Sequence, residues 1–245
     1  MEPVKTVIHI HTEYSSDCDV SLEALAWSVV NERIGCVAIT DHDTIEGAVR
    51  FREMTDAEVI IGEEISTREG HLIGLFLQER IPPGLGVRET ALAIREPGGL
   101  VLVPHPFVRA FSCGLRDHLD LIADVIDAVE ISNAQNLRRS PDRRARRYAQ
   151  EMGLVSYVGA DTHLVGTLAP CFQMMRPFTG PADFLDALAA AALWPGRHSL
   201  RYFVTMAHKI AWMSAGLSRV RGVGRVGRRG RPITPTGDAA EPVHA

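Results

Sequence analysis

Five strand-like stretches of this 245-residue chain each end in histidines or carboxylates: His9-Ile10-His11, Asp41-His42-Asp43, Glu63-Glu64, His105 before Pro106, and Asp161-Thr162-His163. A fold that takes such groups out of water must pair them, because a buried unpaired charge or polar group is costly. Ligands gathered at strand ends around a multinuclear metal site meet that demand, and a metal-dependent hydrolase is the leading reading. One His-x-His triplet carries little weight in a chain with ten histidines. Its context carries more: from Val7 to His11 the chain alternates, and residues two apart on a strand face the same way, so His9 and His11 are expected to converge. Asp161 and His163 repeat that spacing.

The apolar runs Cys36–Thr40 and Leu100–Val103 lead straight into Asp41 and Pro104-His105, and read as strands buried on both faces, as in parallel sheets. Strands are expected near Val7, Val37, Ile60, Leu72, Val101, Val129 and Val158, with an Arg68-Glu69-Gly70 turn joining the third to the fourth. Helices are expected from a Ser21 cap through Asn31, from a Thr44 cap through Met54, and over 87–96, 115–123, 141–152 and 181–193. This alternation predicts an α/β fold, and ligands drawn from most strands favour a closed seven-stranded barrel over an open sheet with one switch point. The ligands fall at carboxyl ends, except on the strand that begins at His71. The barrel is expected to occupy 1–198. Leu200, Phe203, Ala207, Ile210, Met213 and Leu217 fall at helical spacing and predict a docking helix over 199–217, followed by a disordered Arg/Gly/Pro-rich tail over 218–245.

Together, HxHT followed by SSD, TDHDT, GEEIS followed by GHLIG, PHP, VEISN and GADTH resemble the polymerase and histidinol phosphatase (PHP) phosphoesterases over roughly residues 5 to 195. The resemblance implies a distorted seven-stranded TIM-like α/β barrel, the PHP fold, holding two or three divalent metals. It implies one metal held by His9, His11, Glu64 and Asp161, a second by Glu64, His71 and His105 with Glu64 bridging, and a third by Asp17, His42 and His163. Asp19, two residues beyond Asp17, could face the same way. The last motif more usually reads Gly-Ser-Asp-Ala-His, and Ala160 and Thr162 here leave Asp161 and His163 in place. The short stretch between His71 and His105 lacks the lid-forming insertion of relatives that act on nucleotides.

Mixed imidazole and carboxylate ligands suit manganese, zinc or iron. Two such ions about 3.5 to 4 Å apart lower the pKa of a bridging water and make it the nucleophile, so no side-chain nucleophile is expected. No G-x-S-x-G occurs. Asp41 and Asp43 are expected to orient His42 and cap the next helix, since ligating histidines usually give their other nitrogen to a carboxylate or carbonyl. Glu63 reads as a surface or supporting group. Arg109, Asn133 and Arg138 are the candidate contacts to substrate phosphate, because arginine forks match phosphate oxygens. Arg143 to Arg147 read as a solvated helix face.

A formal charge of −4 argues against wholesale coating of nucleic acid, and four cysteines without CxxC spacing argue against a disulfide framework. A strand that starts by about residue 6 and the lack of an eighteen-residue apolar run lead to the expectation of a cytoplasmic protein that does not meet a membrane. The expected partner is a phosphorylated small molecule or a nucleic-acid end. Two other readings compete. An amidohydrolase barrel also opens with His-x-His, but many bridge their metals with a modified lysine, and neither Lys5 nor Lys209 lies at a suitable strand end. The third is a barrel kept as an inactive binding module, against which the complete ligand set weighs.

Overall fold

The computed structural model describes residues 2–109, 113–164, 168–209 and 211. Seven strands close on themselves: β1 (Val4–Ile10), β2 (Cys36–Ile39), β3 (Glu58–Ser66), β4 (His71–Leu75), β5 (Leu100–Val103), β6 (Ala128–Asn133) and β7 (Val155–Thr162), with β7 returning to β1 and β1 pairing β2. All seven expected strands are present, and the closed barrel is the one the ligand pattern favoured. Neighbours pair in parallel except β4, which is antiparallel to both β3 and β5. That reversal explains His71: the start of β4 lies at the rim where the other strands end. Two further strands, β8 (Phe172–Met175) and β9 (Ala192–Trp194), were not expected from the sequence; β8 runs antiparallel to the first half of β1, with Val4 opposite Met175, and β9 pairs β8.

The helices lie outside. In α1 (Leu22–Asn31) the Ser21 side chain accepts from Ala24 N–H, the expected cap. Helix α2 (Glu46–Phe51) is shorter than expected: Ile45 holds the cap position and Thr44 Oγ1 accepts only from Glu46 N–H. Helices α3 (Val87–Arg95) and α4 (Arg139–Met152) follow, the latter ended by Gly153 at φ 64°. Helix α5 (Gly180–Ala189) stops before 193 because Ala192–Trp194 is drawn into the sheet. The helix expected over 115–123 is corrected to a three-residue 3-10 turn, Leu119–Leu121. Its periodicity was genuine, since Leu115, Leu119 and Ile122 are buried. Irregular backbone buries the same side chains without a helix.

Three apolar layers position the rim. Ile8, Ala38, Ile60, Ile73, Leu102 and Tyr157 fill the barrel, with Phe184 of α5 packed against them. Phe184 meets Phe76 and Phe178 edge-on, with ring centroids 5.3 and 5.0 Å apart. Outside, Leu25, Val29 and Phe51 join α1 and α2 to Val7 and Val37, while Ile94, Ala145 and Ala149 join α3 and α4 to Val101, Val103 and Val129. Residues up to Phe203 form one compact unit. Residues 200–209 are helical, Leu200 is exposed, and 212–217 of the expected docking helix and the tail over 218–245 lie outside the described residues. None of the four cysteines is in a disulfide, and no described helix is long and apolar enough to cross a membrane. Phe184→Ala is expected to lower stability by about 3–5 kcal/mol in chemical denaturation, the range for removing a fully buried aromatic ring.

Candidate metal centre

The side chains that end β1, β3, β5 and β7 and the one that begins β4 meet at one rim, with Glu64 in the middle. Its Oε2 lies 3.1 Å from His9 Nε2, 3.1 Å from His11 Nε2 and 3.6 Å from His42 Nδ1. Its Oε1 lies 2.9 Å from His71 Nδ1 and 3.0 Å from His105 Nε2. Asp161 Oδ1 approaches His11 Nε2 at 3.5 Å and His9 Nε2 at 3.7 Å. Asp17 Oδ2 lies 3.3 Å from His163 Nε2 and 3.6 Å from His42 Nε2. Asp19 reaches His163 with its backbone N–H instead. The nine side chains singled out in the sequence therefore share one centre. Within it, His9, His11 and Asp161 converge, as do His42, Glu64 and His71, His11, His42 and His163, and His9, Glu64 and His105.

Simple strand alternation does not produce this convergence. His9 has φ 69°, at a register shift of β1 against both β2 and β7, so it sits in a bulge that re-aims its ring. Asp161 at φ 47° and His105 at φ 27° are likewise in backbone regions that side-chain-bearing residues seldom adopt. Such strain persists only where the surroundings hold it, and it concentrates at functional sites.

The holding groups are visible. Glu130 Oε1 lies 2.9 Å from His9 Nδ1, and its Oε2 accepts from His105 N–H at 2.7 Å and from Asn133 Nδ2 at 2.9 Å. Gly159 faces Glu130 so closely that a Cβ there would overlap the carboxylate. Ser15 Oγ donates to Asp41 Oδ1 at 2.8 Å, accepts from His42 N–H at 3.0 Å, and lies 3.1 Å from His11 Nδ1. A hydroxyl has one proton, and Asp41 takes it, so His11 Nδ1 must carry the hydrogen of that last contact. His11 Nε2 is then a bare lone pair, buried and without a hydrogen-bond partner. Two acceptors, this nitrogen and Glu64 Oε2, face each other at 3.1 Å. A cation between them satisfies both, and this donor set fits a divalent metal.

Electrostatics agree. Burial pushes the His11 imidazole down to about 3, reinforced by His163 and His42, which keeps it a neutral ligand. Burial opposes the charge on Glu64, but His42, His9 and His71 outweigh it and hold the carboxyl well below its usual range. Asp161 is held low in the same way by His9, His163 and His11. The side chains of Asp17, His71 and His42 are 41%, 22% and 20% exposed, so the centre opens on their side.

Several expected roles change. Asn133, expected to contact substrate, is buried with both amide hydrogens used, by Glu130 and by Asp161 Oδ2 at 2.9 Å, and its Oδ1 accepts from Gln135 N–H. Asp43 accepts from Ser66 N–H and Oγ and tethers the β2–α2 loop to β3, without orienting the His42 ring or capping α2. Asp41 accepts from Thr12 N–H, Thr12 Oγ1 and Ser15, and so acts on His11 and the His42 backbone through Ser15. Arg109 and Arg138 are exposed, and Arg138 holds the cap position of α4. Glu63 is fully buried, accepts from Ile81 N–H at 2.9 Å, and burial pushes its carboxyl up to about 7. Sequence reasoning missed Glu130, although a carboxylate inside Ala128-Val129-Glu130-Ile131 was a usable signal. It also missed Gln135, whose Nε2 lies 2.8 Å from His163 Nδ1, and Tyr202, whose hydroxyl accepts from His163 N–H at 3.0 Å. Nothing local marks either residue.

Residues 8–155 match the PHP domain family. The chain belongs to that family. A relative of this PHP chain, an uncharacterized protein of Methanocaldococcus jannaschii, is 41% identical over 147 residues, covering 54% of this chain and 82% of that protein. Among solved structures, a two-domain protein from Bacteroides vulgatus described as containing a predicted PHP-like metal-dependent phosphoesterase superposes with TM-score 0.65 at 15% identity, covering 79% of this chain and 65% of its own length. A lesion-specific endonuclease from Pyrococcus furiosus superposes with TM-score 0.58 at 14% identity, over 78% of this chain and 57% of that one. The fold is thus that of a PHP metal-dependent phosphoesterase. Glu130→Gln puts an amide where three donors converge, and is expected to weaken divalent-metal affinity by roughly 10–100-fold, read by calorimetric titration of metal-free protein.

Proposed function

We propose that this PHP protein is a metal-dependent phosphoesterase that hydrolyses phosphate monoesters or phosphorylated nucleotide and nucleic-acid ends. The observation that carries the reading is the division of Glu64, whose Oε2 faces His9 and His11 while Oε1 faces His71 and His105. A carboxylate placed this way suits adjacent metals that share it. His9, His11, Glu64 and Asp161 would hold one, Glu64, His71 and His105 a second, and Asp17, His42 and His163 a third. Manganese, zinc or iron in these positions supplies an activated water and offsets charge on the phosphoryl oxygens.

The remaining roles belong to the chain. Glu130 and Ser15 fix the ring hydrogens of His9 and His11 on Nδ1, leaving Nε2 toward the centre. The exposed edge formed by Asp17, His42 and His71 is where a phosphoryl group would approach. An amidohydrolase reading lacks its bridging lysine: Lys5 sits at the start of β1, bonded to the Glu32 carbonyl and lying over the Phe172 ring.

Manganese- or zinc-loaded protein is expected to release phosphate from a general aryl phosphomonoester, to lose that activity in a chelator, and to regain it when metal is restored. Because outer partners alone are worth about 10–100-fold, His105→Ala is expected to lower kcat/KM by on the order of a hundredfold or more. Turnover that survives this change, or that is confined to amide and lactone substrates, would overturn the reading.

A further inference from the structure

A cavity of about 620 Å³ lies between α4 and the segment 195–197, with Ser132 on its β6 wall. Residues next to one another on a strand face opposite ways, and Asn133 faces the metal centre, so this cavity is on the outer face of β6. Its lining is unusually cationic. Arg139, Arg143 and Arg146 recur at helical spacing and present one face of α4, and Arg197 closes the other side. Asp142 is the one acidic lining residue, and it is already engaged by Arg197 Nη2 at 2.8 Å and Asn136 Nδ2 at 2.6 Å. Among the described residues Arg139, Arg143 and Arg146 form no ion pair, and Arg197 Nη1 is buried without a hydrogen-bond partner.

Arg197 is also held in place. Gly196 packs so tightly on the Pro170 carbonyl that a Cβ would overlap it, and His198 donates its N–H to the Ala134 carbonyl, with Nε2 2.9 Å from the Ala160 carbonyl. Four arginines around one satisfied carboxylate make the potential there positive and favour an anion among them. Guanidinium forks match phosphate oxygens in pairs, whereas a lone carboxylate would engage only one of them.

We propose that this cavity is a phosphate-binding site separate from the metal centre, taking a phosphate-type oxyanion from either a small phosphorylated compound or a nucleic-acid backbone. Because it needs no metal, it stands or falls apart from the hydrolytic reading. The test is titration of full-length, chelator-treated protein with pyrophosphate by calorimetry, and with a 5′-phosphorylated single-stranded oligonucleotide by fluorescence anisotropy. Arg143→Glu/Arg146→Glu is compared with Arg144→Glu/Arg147→Glu, the same charge change on side chains that do not line the cavity. Circular dichroism verifies that both variants fold. Loss of one or two charge-assisted contacts is expected to weaken binding at least about tenfold in the first variant and little in the second. Pyrophosphate bound as tightly as the oligonucleotide assigns the site to small phosphorylated compounds, and an oligonucleotide bound about tenfold tighter or more, with the same arginine dependence, assigns it to a strand. No binding of either probe, or equal weakening by both variants, overturns the proposal.

Discussion

A carboxylate with both oxygens buried among imidazoles is the contact on which the rest of this molecule depends. Glu64 has five histidine nitrogens within 3.6 Å, and its charge is sustained against burial by His42, His9, His71 and His105. In the protein interior such a set is stable when each lone pair meets a proton or a cation, and costly otherwise. His11 shows the need: with its Nδ1 hydrogen directed to Ser15, a cation between its Nε2 and Glu64 would satisfy both. A cation held by these groups would therefore also stabilise the strands that bring them together.

Three of the six described non-glycine residues with positive φ lie at this centre. His9, His105 and Asp161 all adopt positive φ, and each is tied down by neighbours, His9 by Glu130 through its ring, His105 by Glu130 through its backbone N–H, and Asp161 by Asn133 and Gln135. Glu130 thus fixes two strained positions from a third strand. Beneath them, Ile8, Ile60, Ile73, Leu102 and Tyr157 form a fully packed floor that keeps the strand ends from relaxing.

The barrel was legible because its strands are buried on both faces and its ligands stand at their ends. Runs such as Cys36–Ile39 and Leu100–Val103 have few alternatives in a chain that also alternates with helices. Histidines and carboxylates at strand ends marked most of the centre, and the resemblance to the PHP motifs supplied the full set of nine candidate ligands, Asp17 included. What escaped was set by distant contacts. β8 and β9 owe their extended form to the open flank of β1, and 115–123 buries a helical pattern without forming a helix. Asn133 read as a contact to substrate, yet its hydrogens go to Glu130 on its own strand and to Asp161 on the next. Only the three-dimensional arrangement tells a hydrogen already in use from one left over.

The reversed strand β4 has a wider meaning. Because it folds back on β3 through a turn of four residues, Glu64 and His71 ride on one hairpin and shift as a rigid pair, with Ser66 opposite His71 in register. Apart from the close groups His9, His11 and Asp17, and Asp161 and His163, the other ligands lie on segments separated by whole helices. The four-residue turn therefore sets the spacing of Glu64 and His71 directly, so lengthening it would separate the shared carboxylate from one of its histidines while leaving the rest of the rim in place.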